Sequence, residues 1–479
     1  MVYLPHWPIP ATFGNRKIDY ETVFTRANIV LKRLGNIHLE LPPIIHITGT
    51  NGKGSTASLI ANIFHQAGYK VDLYSSPHLH HCNERITLSQ NGIMTKISDN
   101  FLYEVIEEVR LAAADVPLSF MEAFTIAAFI AFAKNKADLL VMEVGMGGRI
   151  DITNIINNKI ATIITPISLD HQQYLGDKLA QIAYEKSLIC RKDIPLIIAP
   201  QPQPALEMIE LIANDQKARP YIFDKDFSFC LIEDGRVIDE KRIEDFAVEF
   251  YHQDLSRIRD FIILPQPNLL GEFQYINFTT AIAACNILDE KFPVNDDDIK
   301  NAVATVEWPS RLEKITNNLH KFLINNQSIS DNNNDGNIIT SEIWIDGAHN
   351  QGGAIVIANW FLQRNNDGRF KNIAIIGFSR GKASIEFMLP IAKTALLIAV
   401  TVEGEPYPEK SENIYQIAKE YDRNIDIIDC GNIEEALKFI IKNFYHQRVN
   451  IVICGSLHLA RDVKKLNSEI KYNYIRKYF

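Results

Sequence analysis

The chain has no surplus of positive charge: 49 Lys and Arg stand against 58 Asp and Glu, a formal net charge of -9 over 479 residues. A polybasic partner for nucleic acid or anionic lipid is thereby excluded, and any anionic ligand must be held by a local group of positive charges. Cysteine is scarce and unpatterned. Cys82, Cys190, Cys230, Cys285, Cys430 and Cys454 form no CxxC pair, so neither a disulfide framework nor a zinc knuckle is indicated, and most are expected to be buried thiols. Long apolar runs are missing as well, and the opening MVYLPHWPIP lacks the charged and greasy regions of a signal peptide. The expectation is a cytoplasmic protein with no membrane span. The chain is long enough, at 47% hydrophobic residues, for two or three domains with cores of their own.

Helical and strand patterns alternate along most of the length, which predicts α/β architecture with largely parallel sheets. Apolar runs at 44–47, 71–76, 139–142, 161–164 and 196–199 read as buried strands, and helices are expected at 20–34, 53–67, 98–114, 120–134, 175–189 and 276–288. Between Asp224 and Ile263 the pattern weakens to short β-like runs, read as an antiparallel excursion at the sheet edge. The clearest boundary is Trp308-Pro309-Ser310. It predicts domains 1–307 and 308–479, the second with strands at 343–345, 373–376, 396–400, 425–428 and 451–454 joined by helices in a doubly wound, Rossmann-like order. Residues 325–337, rich in Asn, Asp and Ser, read as a polar surface insertion.

The segment His46-Ile47-Thr48-Gly49-Thr50-Asn51-Gly52-Lys53-Gly54-Ser55-Thr56 joins an apolar strand to a helix. Glycines there let the backbone approach a phosphate, the helix start offers free N–H donors, and Lys53 adds a point charge. Its spacing is neither that of the strict P-loop nor GxGxxG. A turn that merely caps a helix would not require three glycines and a lysine together.

Carboxylates and a histidine follow two of the other strands. Glu143, in Met142-Glu143-Val144-Gly145-Met146-Gly147-Gly148-Arg149, ends a strand where α/β proteins bind ligands and could hold Mg²⁺, which takes one or two carboxylates together with phosphate oxygens. His171, in Ser168-Leu169-Asp170-His171, could serve metal or phosphate. Glu185-Lys186 lies on the next helix, where a charged pair is ordinarily a solvated face.

Together, GTNGKGS at 49–55, SSPHL at 75–79, NERI at 83–86, EVGMGGRID at 143–151, LDHQQYLG at 169–176, EKSLI at 185–189, WPSRLE at 308–313, DGAHN at 346–350 and GSL at 455–457 resemble the folylpolyglutamate synthase and dihydrofolate synthase branch of the Mur ligase superfamily. The resemblance implies a P-loop-like N-terminal domain, a Rossmann-like C-terminal domain, and an ATP-dependent ligase that joins a folate-type carboxylate to the amine of L-glutamate. It implies that Gly49, Thr50, Asn51, Gly52, Lys53, Gly54 and Ser55 hold the triphosphate. Ser76, Glu143 and His171 match the family's magnesium ligands, with two ions expected. Lys186 matches its carbamylated lysine, whose carbamate would be a further oxygen ligand. Asn277 matches a nucleotide-contacting asparagine, Arg311 and His349 match residues that act on ATP from the second domain, and Asp346 belongs to their motif. Lys53, His171 and Lys186 are thus the implied catalytic set.

The chain departs from the family pattern in three places. Lys186 is followed by Ser187-Leu188 instead of Ala-Gly, Phe273-Gln274 stands for His-Gln, and Ser379-Arg380-Gly381-Lys382 replaces a Lys-Asp pair. Arg85 is a candidate anchor for the folate-like substrate, set against the plainer role of fixing its own loop. The expected reaction runs through an acyl phosphate and needs no nucleophilic side chain. The compact start resembles bacterial members that act on both dihydropteroate and reduced folates, and a monomer is expected. The alternatives are a folylpolyglutamate synthase only, a Mur-type peptide ligase, whose substrate domain would precede the glycine loop, and a non-enzymatic P-loop module, which would not need Glu143, His171 and Lys186.

Overall fold

The computed structural model describes residues 20–232, 237–238, 241–242, 245–315, 319, 341–365 and 368–469. The insertion expected at 325–337 lies outside them. The described chain forms two compact units. One runs to Asn268 and includes Glu272–Glu307; the other holds Leu269–Gly271 and the chain from Trp308 onward.

The first unit is built on β1 (Ile44–Thr48), β2 (Val71–Tyr74), β3 (Ile86–Gln90), β4 (Ile93–Lys96), β5 (Leu139–Glu143), β6 (Lys159–Ile164), β7 (Pro195–Ile198) and β8 (Arg219–Ile222). Their order is β4-β3-β2-β5-β1-β6-β7-β8. The strands from β2 through β8 in that order are parallel, and β3 and β4 are antiparallel. Every residue of β1 is buried, because helices cover both faces of a parallel sheet and no alternate position can be polar without a partner. Among those helices are α1 (Tyr20–Arg33), α2 (Lys53–Gln66), α3 (Asp99–Ala113) and α4 (Phe120–Asn135). Residues 122–133 of α4 are buried on all sides, as an Ala- and Phe-rich sequence with no polar stripe requires.

Three local expectations are corrected, and one element that the apolar runs did not mark is added. After β2, Asn91 and Gly92, at φ 53° and 74°, turn β3 into β4; positive φ at both turn residues gives the tight two-residue hairpin that Asn-Gly favours. The helix expected at 175–189 is two, α5 (Gln172–Leu175) and α6 (Leu179–Ser187), broken at Gly176 with φ 100°. After α7 (Gln203–Asp215) the weak segment is no extension of the main sheet. Beside the short pair β10 (Val237–Ile238) and β11 (Lys241–Arg242), it forms a separate antiparallel sheet from β9 (Phe227–Ile232), β12 (Asp245–Phe250) and β13 (Phe261–Leu264). Past α8 (Gln253–Ser256), α9 (Glu272–Leu288) packs on this small sheet, Tyr275 stacking on Phe229 and meeting Phe246 edge-on. Lastly, only Cys190, Cys285 and Cys454 of the six cysteines are buried, and all six are free.

The second unit has β14 (Glu313–Lys314), β15 (Glu342–Ile345), β16 (Lys371–Ile376), β17 (Leu396–Ala399), β18 (Ile427–Asp429) and β19 (Val449–Cys454), ordered β14-β15-β19-β16-β17-β18. All neighbours are parallel except β14 on β15. The last strand returns between β15 and β16, so the α/β expectation holds in both units. No described helix is long and apolar enough to cross a membrane.

Candidate active site

The Gly49–Ser55 loop leaves the buried end of β1 and enters α2 at Lys53. Its path is dictated by close approach. Gly49 has φ 145°, and a Cβ there would lie 1.9 Å from Oγ1 of Thr165 and 2.8 Å from that residue's carbonyl oxygen. A Cβ at Gly52, φ 87°, would lie 2.1 Å from Oδ1 of Asn277. The fold thus brings Asn277, on α9, against the loop, where its amide donates to Gln274 at 3.0 Å. The amides of Thr50 and Asn51 both donate to the Pro166 carbonyl at 3.1 Å. The Thr50 hydroxyl donates to the Ser168 carbonyl and accepts from its amide, and Asn51 donates to the Ser168 hydroxyl.

At the start of α2 two hydroxyls are left over. Oγ of Ser55 and Oγ1 of Thr56 are buried and have no hydrogen-bond partner among the described residues. Unpaired buried polar atoms are costly and rare. At a helix N-terminus behind a glycine loop they suit phosphate oxygen and a hard cation. Lys53 lies over the loop, donating to the Thr50 carbonyl at 3.1 Å.

Lys186 is the notable convergence. It is fully buried at the end of α6, and its amine donates to the Gly49 carbonyl at 2.6 Å. Burial, reinforced by the nearby charge of Lys53 and partly offset by Asp170 and Asp151, pulls its amine down to about 7. A lysine so placed has a substantial neutral fraction near neutral pH, the form that reacts with CO₂. The solvated-face reading of Glu185-Lys186 fails for Lys186. Glu185 instead forms a two-point ion pair with Arg149, Nη2 to Oε1 2.9 Å.

Glu143 ends β5, buried, and accepts from the Ser76 amide at 3.1 Å. Asp151 accepts from the Met146 amide at 3.0 Å and from Thr153, while burial raises its carboxyl above the ordinary range. His171 sits in left-handed backbone at φ 50° with its side chain 38% exposed and Nε2 3.9 Å from Asp170. No group of three His, Cys, Asp or Glu able to hold a metal by itself occurs among the described residues. The donors present, a strand-end carboxylate and unpaired hydroxyls, fit Mg²⁺, which relies on phosphate oxygens and water for the rest of its shell.

Arg85 lies on the loop that begins at Ser75. Only 6% exposed, it donates to Nδ1 of His78 at 2.8 Å, with Phe120 and Phe124 rings 5.7 and 5.8 Å from its guanidinium carbon. No carboxylate pairs with it among the described residues, which leaves a buried cation available to an anion. The same loop is closed by Glu84, which accepts from the amides of Leu79, His80 and His81.

In the second unit Arg311 stands between two non-glycine residues in left-handed backbone, Ser310 at φ 58° and Leu312 at φ 44°. Asp346 holds that strained turn, accepting from the Leu312 amide at 2.8 Å and the Ala348 amide at 2.7 Å. Such conformations persist only where the surroundings over-determine them. Asp346 is therefore a support for Arg311. His349 Nδ1 is 2.8 Å from the Gly347 carbonyl, and a Cβ at Gly347 would lie 2.6 Å from Nη1 of Arg311.

Sequence reasoning missed Thr165, Ser168 and Asp151. The last two stand beside or within motifs it quoted, but nothing local marks Thr165, whose role is to lie over Gly49.

The Mur ligase middle domain model matches residues 47–285, and that of the dihydrofolate synthetase C-terminal domain matches residues 325–467. The chain is 29% identical to a folylpolyglutamate synthase of Lacticaseibacillus casei over 471 residues, covering 97% of each. It is 26% identical to the dihydrofolate synthetase of Saccharomyces cerevisiae over 462 residues, covering 94% of this chain and 98% of that protein. Its fold matches, with TM-score 0.74, 23% identity and 92% of each chain covered, a bifunctional folylpolyglutamate synthase/dihydrofolate synthase from Yersinia pestis complexed with AMPPNP and Mn ion.

Proposed function

Because the chain belongs to the folylpolyglutamate synthase/dihydrofolate synthase family and carries its Mur ligase middle domain, we propose that it ligates L-glutamate to dihydropteroate and to reduced folates at the expense of ATP. It does so as a cytoplasmic monomer whose first unit holds ATP and the folate, and whose second serves glutamate. The observation that carries this reading is the Lys186 amine seated on the Gly49 carbonyl at 2.6 Å. A module that only bound nucleotide would have no use for a buried lysine seated behind its phosphate loop.

The substrate carboxylate attacks the γ-phosphorus of ATP, forming an acyl phosphate and ADP. The glutamate amine then adds to the acyl carbon, the C–O bond to phosphate breaks, and inorganic phosphate leaves with the bonding electrons while the amine gives up one proton. Catalysis of the first step is mainly positioning and charge neutralisation. The loop amides from Gly49 to Ser55 cradle the triphosphate, Lys53 places its charge on the outer phosphates, and Asn277, held against Gly52, faces the nucleotide. Arg85 offers its buried guanidinium to the anionic end of the folate. Ser76, Glu143, His171 and a carbamylated Lys186 would hold two magnesium ions, which when bound supply Lewis-acid charge neutralisation. Arg311, steadied by Asp346, and His349 act on the nucleotide in the same reading.

The test is ADP release with dihydropteroate, tetrahydrofolate and a peptidoglycan precursor offered in parallel, each with glutamate. Turnover with the first two is expected. Turnover with tetrahydrofolate alone would reduce the enzyme to a folylpolyglutamate synthase, and turnover with the precursor alone would overturn the proposal.

A further inference from the structure

The helix that carries Lys186 ends at Leu188, φ -73° and ψ 10°, with no left-handed residue. The Ile189 and Cys190 amides take the Lys186 and Ser187 carbonyls at 3.3 and 3.0 Å, and side chains take the carbonyls of the turn that follows. The Leu188 carbonyl accepts from Arg191 Nη1 at 3.0 Å and from the Asn154 amide at 3.2 Å. The Ile189 carbonyl accepts from the Lys159 amine at 2.8 Å and from Arg191 at 3.2 Å, and the Cys190 carbonyl from Arg191 at 2.9 Å. Asn154 knits the group together, its Oδ1 accepting from Lys159 at 2.6 Å and from Arg191 Nη2 at 2.9 Å.

Lys159 is 3% exposed, and neither it nor Arg191 has a carboxylate partner among the described residues. Burial, reinforced by the neighbouring Arg191, pushes the Lys159 amine well below its ordinary range, and a desolvated lysine set against an arginine is an expensive way to hold a turn that a glycine or asparagine could close. On the opposite side the packing is equally tight. A Cβ at Gly148 would lie 2.9 Å from the carbonyl oxygens of both Glu185 and Lys186, and the Arg149 amide donates to the Glu185 carbonyl at 2.7 Å. The backbone from Glu185 to Cys190 is thus held from both sides, and from it the Lys186 amine reaches the Gly49 carbonyl at 2.6 Å.

We propose that Asn154, Lys159 and Arg191 are positioning residues for Lys186, a polar cluster that fixes the turn after its helix so that the amine meets the phosphate loop. The proposal rests on the reading that Lys186 serves that site as a carbamate. A carbamate of Lys186 forms by attack of the neutral amine on CO₂ with loss of one proton, and its oxygens reach the site only from where the amine is held.

The experiment uses the full-length enzyme and two variants, Arg191→Met and Lys159→Met, with Arg191→Lys as the conservative control. After equilibration with ¹³C-bicarbonate, the lysine carbamate is read by ¹³C NMR, kcat and the KM for ATP by ADP release, and folding by circular dichroism and thermal unfolding. A loss of the carbamate signal is expected in both Met variants, with kcat lowered about tenfold or more, the KM for ATP little changed, and partial recovery in Arg191→Lys. Lys159→Met removes a buried amine whose two acceptors, the Ile189 carbonyl and Asn154 Oδ1, keep their bonds from Arg191, so it should not lower stability. A fall in kcat at undiminished stability is therefore an outcome that helix capping alone would not produce, and Lys159→Met decides the matter if Arg191→Met does not fold. Wild-type carbamate signal and kcat in a folded Lys159→Met protein would overturn the proposal. Absence of the signal from the wild-type enzyme, with kcat still lowered in the variants, would overturn the carbamate reading and leave the positioning of Lys186 supported.

Discussion

At Gly49 the constraint is one of distance. Even Ala would set its methyl 1.9 Å from a threonine hydroxyl, and because the carbonyl of the same Thr165 lies 2.8 Å away, trimming the side chain would not make room. Gly49→Ala is expected to abolish ADP release and to cost more than about 2 kcal/mol of stability by urea denaturation, a magnitude reserved for strained or overpacked sites. Wild-type stability in that variant would mean that the loop can move off Thr165. The residue types at Gly49, Gly52 and Lys53 declared a phosphate site from sequence because few other uses need glycine and lysine in that order. Apart from the family resemblance, Lys186 did not declare itself. A lysine after a glutamate on an amphipathic helix looks solvated, and its burial behind the loop, with Lys53 nearby, is what lowers its affinity for a proton.

Among the elements, β2 carries a different anomaly. Asp72 is fully buried, accepting from the Ser89 amide on β3 at 2.9 Å and from Asn135 at the end of α4 at 2.8 Å, while its second oxygen has no partner among the described residues. Burial outweighs those two bonds and raises its carboxyl to about 7 from 3.8. The folded protein therefore holds this proton over a range where the unfolded chain has lost it, so the contribution of Asp72 to stability declines as pH rises from about 4 to about 7. Asp72→Asn removes that dependence. Its stability relative to wild type should increase between pH 5 and pH 8 by on the order of 2 kcal/mol, as read from urea denaturation at the two values. A difference that does not change with pH would show that Asp72 is ionised throughout. The β3–β4 hairpin, by contrast, was open to reading in sequence, since Asn91-Gly92 between alternating residues is its signature. The break at Gly176 and the separate sheet of β9, β12 and β13 were not, because a glycine inside a helical pattern and a run of weak strands each permit more than one partner.

For the molecule as a whole, the net charge of -9 means that ATP, glutamate and a folate, all anions, must be held by local groups. Magnesium–ATP at about a hundred times its Kd should raise stability by about 2.7 kcal/mol, measured as a shift in the unfolding transition. Lys53→Ala should lose most of that shift, and retention of it would remove Lys53 from the nucleotide site. The amino-acid sequence alone determined the α/β class, the phosphate loop and the order of the motifs, because hydrophobic period, glycine placement and residue chemistry are local properties. Only the tertiary structure decided that Thr165 lies over Gly49, that Asn277 meets Gly52, that Asp346 supports the turn at Arg311, and that Asn154, Lys159 and Arg191 hold the turn behind Lys186. Each of these joins residues far apart in the chain, and their burial, spacing and protonation exist only once the chain is packed.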